Sequence, residues 1–417
     1  MTCGHLLRGA ALAVACLVAC GACASVVPHR ALPHLALDDP SARPTLEAYA
    51  GMPIVGGNTV DILLNDAVFP AELAAIRAAR TTIDYEQYYY EAGTVGRTTA
   101  AALAERCRAG VGVNVLLDAV GALEMAPEDA TLMTRSGCHL AYFRPLTHLF
   151  FGHFNNRDHR RILVVDGRIG FTGGAGAGDK WLGNGRTAEH WRETDVRIEG
   201  PAVHELQAAF ARAWLAATGV VLGGPAYFPV LGPTGGVPLQ VVAGAPARGN
   251  ESVYTTFVLA IASARRFIHI TNPYFLPDER MTRALLAAAA RGVDVTVLLP
   301  GQIDHKLVRQ ASRAGFGRLL RGGLRIEEYQ PALLHAKTMI VDGVWATVGS
   351  TNFDNRSFAL NAEVNVVAYG PEVAQELEAE FRDDVRYARP VRYRRWRARD
   401  LWSRFLEVLA APLRSEL

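Results

Sequence analysis

Two short motifs carry the residues in this chain that could do chemistry, and they are nearly the same motif. The first runs from His159 to Asp166 as HxRxxxxD, and the second runs from His335 to Asp342 as HxKxxxxD. A Gly-rich turn follows each motif, and all these positions recur at a constant spacing of 176 residues. Cleaving a phosphodiester without a metal needs a nucleophile at phosphorus and an acid for the leaving oxygen, and two imidazoles can fill these roles. We therefore predict that one histidine from each half enters a single site.

A basic residue stands two positions after each histidine, Arg161 in the first motif and Lys337 in the second. If both motifs are strands, each cation points to the same face as its histidine, because side chains alternate along a strand. There the two cations would contact the phosphate oxygens and stabilise the charge of a five-coordinate phosphorus. We count both cations as candidate catalytic residues.

The Gly-rich turns would let the backbone approach a phosphate closely. In the second turn Ser350 and Asn352 add a hydroxyl and an amide as candidate substrate-binding donors. The first turn has Gly174 and Gly176 at the corresponding places, and Gly174 is its candidate substrate-binding residue. The sequence therefore predicts an asymmetric site in which most side-chain donors come from the second half.

Two later carboxylates, Asp195 and Glu363, precede matching strands and are predicted to orient the histidines through Nδ1. The sequence leaves open whether each serves its own histidine or the one from the other half. Asp166 and Asp342 belong to the candidate catalytic motifs, although their place at strand ends favours structural hydrogen bonds or ion pairs.

Two alternatives weigh against this interpretation. Both histidines could be core residues of a repeated fold, or the first half could have lost its activity because Arg161 replaces a lysine. Arginine keeps the positive charge and adds a second donor direction, so we expect activity to survive. The repetition of the whole pattern favours a shared active site.

The elements that position these residues are duplicated as well. Ala75–Ile83 matches Ala260–Ile268, and Gly110–Leu117 matches Gly292–Leu299. The first match reads as a helix end that leads into a strand, and the second follows an Ala- and Leu-rich helix in each half. Alternating strands and helices predict an α/β fold, with two tandem αβα sandwich domains related by a pseudo-twofold axis and sharing one active site.

The predicted boundaries follow composition. Residues 1–27 are predicted to be a signal peptide or lipoprotein anchor, and residues 28–52 a tether. The two domains are predicted at 53–222 and 237–417, joined by a linker rich in Gly and Pro at 223–236. The C-terminal part of the second domain is basic and aromatic, which suits either an anionic lipid surface or an ordinary docked helix.

The N-terminal segment and the cysteines predict the compartment. The apolar run after Arg8 is short and closes on Cys20, as in a bacterial lipoprotein signal with Cys20 as the lipidated residue. A plain cleaved secretory signal and an uncleaved anchor remain as alternatives, and all three predict the cell envelope. In an oxidising compartment Cys107 and Cys138 could pair, but we favour two buried free thiols.

The net charge, the cysteine pattern and one aromatic loop indicate which kinds of ligand the chain could bind. The formal net charge is +2 over 417 residues, so the overall charge does not argue for a nucleic-acid partner. No paired cysteine motif supports a zinc site, and we predict neither a metal nor a cofactor. The aromatic loop Leu149–Phe154 lies just before His159 and is a candidate for contact with lipid chains, or else a packed loop.

The motifs resemble the phospholipase D superfamily, and most closely its bacterial cardiolipin synthase branch. The resemblance covers nearly the whole chain from about Asn58. The stretches that carry it are Asn156–Gly176, Asn272–Pro277, Leu334–Lys337 and Gly349–Phe358.

The resemblance implies a transfer reaction through a phosphatidyl-histidine and without a metal. It implies that His159 is the nucleophile and His335 the general acid. It also implies that Lys337, Ser350 and Asn352 bind phosphate. Two positions depart from the superfamily pattern, Arg161 in place of Lys and Gly176 in place of Asn.

On this basis we expect a membrane-associated phosphatidyltransferase, facing the periplasm as a lipoprotein, that acts on phospholipids such as phosphatidylglycerol. The chain is compatible with a monomer. A phospholipase D that uses water instead of a lipid alcohol is the alternative, since pocket shape and water exclusion decide between them. A nuclease and an inactive envelope scaffold are further alternatives that the near-neutral charge and the two histidines disfavour.

Overall fold

A computed structural model of the chain describes residues 34–145, 156–244, 251–304 and 306–399. Three predicted features lie outside these residues: the anchor segment with Cys20, the aromatic loop Leu149–Phe154 and the apolar end of the chain after residue 399. Within the described residues, no helix is long and apolar enough to cross a bilayer.

Two sets of strands build one mixed sheet. The first half contributes β1 (Val55–Leu64), β2 (Thr82–Gln87), β3 (Gly112–Asp118), β4 (His139–Phe143), β5 (Arg161–Val165), β6 (Ile169–Gly173) and β7 (Thr194–Glu199). The second half contributes β8 (Val237–Ala243), β9 (Phe267–Thr271), β10 (Asp294–Pro300), β11 (Arg325–Tyr329), β12 (Thr338–Val341), β13 (Trp345–Gly349), β14 (Val364–Tyr369) and β15 (Ala388–Pro390).

The order of the strands displays the duplication. From edge to edge the sheet runs β15-β11-β10-β9-β12-β13-β14-β8-β1-β7-β6-β5-β2-β3-β4. The antiparallel pair β1 and β8 joins the halves, and counting outward from it gives β7 and β14, β6 and β13, β5 and β12 as equivalents. Strands β2, β3 and β4 are parallel in one half, as are β9, β10 and β11 in the other. The predicted α/β fold with two related halves is confirmed.

Helices cover both faces of the sheet. The described α-helices are Arg43–Ala50, Val68–Ala78, Thr94–Arg108, Pro127–Arg135, Val203–Thr218, Glu251–Ser263, Glu279–Ala290, Lys306–Arg321, Pro371–Val385 and Tyr393–Arg397. The equivalent helices Val203–Thr218 and Pro371–Val385 pack on strands of both halves in one continuous apolar core. On the opposite face of the first half, a second core lies under Val68–Ala78, Thr94–Arg108 and Pro127–Arg135. Burial on both faces explains why the central strands are apolar throughout.

The aspartates that close the two motifs hold the hairpins β5–β6 and β12–β13. Asp166 and Asp342 have positive φ angles of 53° and 55°, and each is followed by a glycine in the same region. The Asp166 carboxylate accepts the backbone N–H groups of Arg80, Thr81 and Thr82 at 2.7–3.1 Å. The Asp342 carboxylate accepts those of residues 265–267 at 2.7–2.9 Å.

These contacts assign the motif aspartates a structural role. Burial raises the pKa of Asp166, but the backbone N–H donors outweigh it and hold that pKa below the ordinary value. Each aspartate stands seven positions after its histidine, which is roughly 20 Å of nearly extended chain. The contacts are the structural hydrogen bonds that the strand-end positions favoured, and not contacts at the histidines: both aspartates fix the hairpin that follows the histidine.

The two body cysteines form a disulfide, contrary to the prediction of free thiols. Cys107 lies in the last turn of the helix Thr94–Arg108, and Cys138 immediately precedes β4. Their Cα atoms are 5.5 Å apart, because β3 and β4 are neighbouring strands and bring both approaches to the same edge. Sequence alone did not show how the end of the helix turns toward β4.

The described part of the C-terminal segment packs on the second half. The Trp396 Nε1–H donates to the carbonyl of Arg313 at 3.0 Å. Gly317 provides the space for the indole, since a Cβ there would come within 2.2 Å of the Trp396 ring. Residues 393–397 form a short helix in this segment, and its three arginines are exposed.

Candidate active site

His159 and His335 lie in one cavity of about 540 Å³ that both halves line. Short parallel bridges between the halves bring them there. Asp158, just before His159, pairs with Ala362, which lies just before β14 of the second half. Leu334, just before His335, pairs with Arg192, which lies just before β7 of the first half. The His159 N–H donates to the Ala362 carbonyl at 2.9 Å, and the His335 N–H donates to the Arg192 carbonyl at 2.7 Å.

Each imidazole is held by a glutamate from the opposite half. His159 Nδ1 lies 3.0 Å from both carboxylate oxygens of Glu363, and His335 Nδ1 lies 2.5 Å from Glu193 Oε2. All four residues are buried. A carboxylate on Nδ1 fixes the proton there and leaves Nε2 for chemistry. The question that the sequence left open is answered by this exchange of partners across the pseudo-twofold axis.

The carboxylate on His335 is Glu193, whereas the sequence prediction chose Asp195. Successive side chains on a strand point to opposite faces. Residues two apart point to the same face but lie roughly 7 Å apart along the strand. Asp195 lies one step beyond the imidazole, and its carboxylate accepts the Ala175 N–H at 3.2 Å. Glu193 is the last residue before β7, as Glu363 is the last residue before β14.

A signal for Glu193 was present in the sequence. A Gly-Pro pair closes the strand in each half, at 200–201 and at 370–371. Counting back seven residues from the two glycines reaches Glu193 and Glu363, whereas matching the apolar residues of the strands gives the wrong register. The spacing between the two halves is 176 residues at the histidine motifs but 170 residues at the Gly-Pro pairs. Aligning the halves on the motifs alone therefore does not identify the equivalent glutamates.

The two predicted cations lie beside their histidines. Lys337 Nζ is 2.9 Å and 3.0 Å from the ring nitrogens of His335 and also bonds to the His335 carbonyl. Arg161 donates to the His159 carbonyl, and its guanidinium lies 5.5 Å from the centroid of the Tyr88 ring. Arg161 Nε is buried without a hydrogen-bond partner. A bound anion would supply an acceptor for this donor.

Burial sets the protonation of the centre. Burial, followed by the Lys337 charge, lowers the pKa of His335 to about 4 against the opposing effect of Glu193. Burial and the charge of Arg161 hold the pKa of His159 well below its ordinary value. Burial also lowers the pKa of Lys337 to about 7. An entering phosphate anion would favour the charged form of each group and so raise these pKa values.

The glutamates respond differently to the same burial. Burial raises the pKa of Glu193, but the charges of Lys337 and His335 outweigh it and bring that pKa down to about 2. Burial raises the pKa of Glu363, and its hydrogen bond from Ser350 only partly opposes this. The carboxylate on His335 therefore stays charged at neutral pH, and the two His–Glu pairs differ electrostatically.

The predicted phosphate-binding donors of the second turn divide between two tasks. The Ser350 hydroxyl donates to Glu363 Oε2 at 2.5 Å and accepts the Val364 N–H at 3.0 Å, so it orients the glutamate behind His159. Asn352 lines the cavity, and its Oδ1 is buried without a hydrogen-bond partner. Ser350 is thus corrected from a phosphate donor to a residue that positions Glu363, while Asn352 faces the cavity as predicted.

The glycines of the first turn make room for neighbouring side chains. A Cβ at Gly174 would lie 2.5 Å from the carboxylate oxygens of Glu193, so only glycine lets this glutamate reach His335. A Cβ at Gly173 would similarly meet Asp195. Gly174 therefore acts through Glu193, which differs from the predicted contact with the phosphate.

The cavity walls contain residues that the sequence did not single out. The Tyr88 ring packs edge-on against His159 with centroids 4.8 Å apart, and Trp181 and Trp191 pack against His335 at 5.6 Å and 5.0 Å. A π-helix, Arg356–Leu360, follows the second Gly-rich turn. Such helices are rare and frequent at functional sites. The remaining lining residues include Tyr89, Glu124, Arg157, Lys180, Tyr274, Asp304 and Asp354.

This arrangement can cleave a phosphodiester through a covalent intermediate. Each Nδ1 faces a carboxylate, the two imidazoles open on the same cavity, and the Nε2 of His335 has Lys337 Nζ beside it at 3.0 Å. Arg161 and Lys337 are placed where charge would build up on the phosphate oxygens. Among the described residues, His269 is the one other buried histidine, and it does not line this cavity.

The comparisons with known proteins agree with this geometry. The family described as "Cardiolipin synthase, PLD-like domain" matches residues 73–214 and 257–385, one stretch in each half. The chain is 37% identical over 356 residues to a cardiolipin synthase of Geobacillus sp. (strain WCH70), covering 84% of this chain and 70% of the relative. It is 37% identical over 343 residues to cardiolipin synthase A of Pseudomonas putida (strain GB-1), covering 82% and 71%.

A solved structure is similar in fold. The phosphatidylserine synthase of Haemophilus influenzae Rd KW20 superposes with a TM-score of 0.70, covering 90% of this chain and 100% of that one. The two sequences are 14% identical, so the likeness extends to the fold alone.

Proposed function

The chain belongs to the cardiolipin synthase family with phospholipase D-like domains, and from this premise we propose that it transfers a phosphatidyl group from one phospholipid to a hydroxyl of another. It is an enzyme of the phosphatidyltransferase and phospholipase D type. The observation that carries the proposal is the pair of crossed His–Glu contacts around one cavity.

In the first step, His159 Nε2 attacks phosphorus and the bond from phosphorus to the headgroup oxygen breaks. Protonated His335 gives its proton to that leaving oxygen, which departs as an alcohol. Arg161 and Lys337 stabilise the negative charge on the equatorial oxygens. With phosphatidylglycerol as donor, the leaving alcohol is glycerol and the enzyme holds a phosphatidyl group on His159.

In the second step, the hydroxyl of an acceptor lipid attacks the same phosphorus. His335, now neutral, takes the proton of that hydroxyl, and the phosphorus–nitrogen bond to His159 breaks. When the acceptor is a second phosphatidylglycerol, the product is cardiolipin. Attack by water instead would give phosphatidate, so the cavity must favour a lipid alcohol over water.

The experiment uses purified protein with labelled phosphatidylglycerol and follows cardiolipin, phosphatidate and glycerol. We expect cardiolipin and glycerol in equal amounts from the wild type, and neither from His159→Ala or His335→Ala. His269→Ala is the matched control, because His269 is also a buried histidine on a glutamate, 2.7 Å from Glu378, but does not line the cavity. It should remain active.

Each rival has its own outcome. Phosphatidate without cardiolipin supports a phospholipase D, and digestion of plasmid DNA in the same buffer supports a nuclease. Equal product from the wild type and both cavity histidine variants contradicts the two-histidine mechanism and supports a scaffold.

We also propose an envelope location with Cys20 as a lipidated residue facing the periplasm. The disulfide between Cys107 and Cys138 supports an oxidising compartment, since cytosolic proteins rarely keep structural disulfides. In cells given a labelled fatty acid, Cys20→Ser should abolish labelling of the protein. Unchanged labelling would contradict the anchor.

A further inference from the structure

The first Gly-rich turn lacks a side chain at Gly176 for a physical reason. A Cβ at this position would lie 2.8 Å from the Trp181 ring and 2.9 Å from the Cβ of Tyr89. Trp181 is fully buried and also packs against His335. The space in which the second turn keeps the Asn352 amide is therefore filled by an indole in the first half.

The indole places a different polar group at the cavity. Lys180 precedes Trp181 in a short 3-10 helix, Asp179–Trp181, and both residues line the cavity. Lys180 Nζ lies 3.9 Å from the Tyr89 ring centroid and 5.0 Å from that of Trp191. The Trp191 ring is in turn 5.0 Å from the His335 ring. One aromatic ring thus separates this ammonium group from the general acid.

Lys180 is held in place by two polar partners, which do not use all of its N–H donors. Its ammonium donates to the Tyr89 hydroxyl at 2.6 Å and lies 3.3 Å from Glu91 Oε2. The side chain is 24% exposed and lines the cavity. The aromatic rings hold the ammonium group by cation–π contacts, and with two polar partners it keeps a third N–H for a ligand.

The proposed transfer needs a cation beyond the catalytic histidines, where the phosphate of the acceptor lipid would lie. In phosphatidylglycerol, the attacking hydroxyl and the acceptor's own phosphate are joined by three carbons, an extended span of roughly 6 Å with ordinary bond lengths. When the hydroxyl reaches the phosphorus on His159, a second phosphate must lie beyond the catalytic centre. The carboxylates of Asp304 and Asp354 line the same cavity and would repel it, whereas Glu124 is bound to the Tyr89 hydroxyl that Lys180 also contacts.

The other cations of the cavity interact with groups at or near the catalytic histidines. Arg157 is bound to Asp118 at 3.0 Å, and Arg356 lies close enough to His159 to help lower its pKa, after burial and the charges of Arg161 and Lys337. Lys180 stands on the first-half wall, where the Trp191 ring lies between it and His335, which would receive the acceptor's proton.

We propose that Lys180 binds the phosphate of the acceptor lipid and so selects an anionic phospholipid as the second substrate. This inference rests on the proposed function and adds the residue that distinguishes a lipid acceptor from a neutral alcohol or water. It assigns to the first half a phosphate contact that its Gly-rich turn does not supply.

The test compares two acceptors for one covalent intermediate. Unlabelled phosphatidylglycerol is incubated with labelled glycerol, so that the phosphatidyl-enzyme partitions between cardiolipin, from an anionic acceptor, and labelled phosphatidylglycerol, from a neutral one. The ratio of the products does not depend on the rate of the first step. Lys180→Met should lower cardiolipin relative to labelled phosphatidylglycerol by roughly ten- to a hundredfold, as for the loss of one hydrogen bond between charged groups.

Two further variants separate charge from structure. Lys180→Arg should restore most of the ratio, because it keeps the positive charge. Arg197→Gln is the matched control, since Arg197 is 26% exposed, is paired with Asp61 and Glu199, and does not line the cavity. It removes one positive charge from the protein and should leave the ratio unchanged.

The outcomes are distinct. A Lys180→Met variant that slows both products equally, or neither, overturns the role of Lys180 while cardiolipin from the wild type upholds the proposed function. A wild type that exchanges glycerol but makes no cardiolipin overturns both.

Discussion

Replacing Glu193 by glutamine is the sharpest test of the crossed His–Glu arrangement. The change keeps size and shape but removes the charge that faces His335 Nδ1 at 2.5 Å. The Thr194 N–H, which donates to Glu193 Oε1 at 3.0 Å, can still find a carbonyl acceptor. The amide NH₂ group would then face Nδ1 and favour the tautomer with its proton on the wrong nitrogen.

The expected loss of rate follows from the strength of the hydrogen bond between Glu193 and His335. A hydrogen bond between charged groups contributes about 1.5–3 kcal/mol, which corresponds to roughly a ten- to 150-fold loss of rate. The His335 pKa is already lowered to about 4, and losing the carboxylate lowers it further, so protonation of the leaving oxygen becomes harder. Because Glu193 lies behind the imidazole, we expect kcat to fall while KM changes little.

The assay is glycerol release from phosphatidylglycerol as a function of pH, with Asp195→Asn as the matched control. Asp195 lies two residues further along, inside β7, is also buried, and its carboxylate accepts the Ala175 N–H instead of facing an imidazole. We expect Asp195→Asn to stay within about threefold of the wild-type rate, the size of a neutral hydrogen-bond change. A large loss in Asp195→Asn with normal activity in Glu193→Gln would refute the assignment of Glu193.

Three further predictions concern residues around the site and the disulfide. Ser350→Ala should slow formation of the covalent intermediate about fivefold without raising KM, because Ser350 orients Glu363; a raised KM alone would indicate phosphate binding. The free energy of unfolding should fall from pH 6.5 to 5, because the unfolded chain binds more protons than native His335, and His335→Asn should remove about 2 kcal/mol of that fall in urea titrations; an unchanged slope contradicts this. Cys138→Ser should cost about 4 kcal/mol for a loop of 31 residues, and reductant should lower Tm only in the wild type; an insensitive wild type contradicts the pairing with Cys107.

Much of the fold could be predicted because the chain is duplicated. The two motifs at constant spacing indicated two equivalent sets of strands, and apolar runs such as Ile162–Val165 indicated strands buried on both faces. The disulfide was missed because Cys107 ends a helix and Cys138 begins a strand. Their approach depends on how the helix packs on the sheet, which local patterns do not encode.

The site was predictable only where chemistry and spacing agreed. His159 and His335 could be found from the repeat, and Arg161 and Lys337 from strand alternation. The crossing of the glutamates could not, because it arises from bridges between segments about 140 and 200 residues apart along the chain, as the contacts of Glu193 and Glu363 show.

The surroundings of the site were not visible at all in sequence. Lys180 meets three aromatic rings that come from two separate segments of the first half. Ser350 looked like a phosphate donor because it follows a Gly-rich turn, yet a 2.5 Å hydrogen bond commits it to Glu363. Such roles depend on which neighbour a side chain meets first, and that is decided by packing.

The central claim is that His159 carries the covalent phosphatidyl group while His335 supplies and takes the proton. The most direct measurement is to react the protein briefly with phosphatidylglycerol, denature it at alkaline pH to preserve a phosphorus–nitrogen bond, and map the adduct by peptide mass spectrometry. The account predicts a phosphatidyl adduct on the peptide that contains His159 in the wild type, and no adduct in His159→Ala. An adduct on His335, or an adduct that persists in His159→Ala, would contradict it.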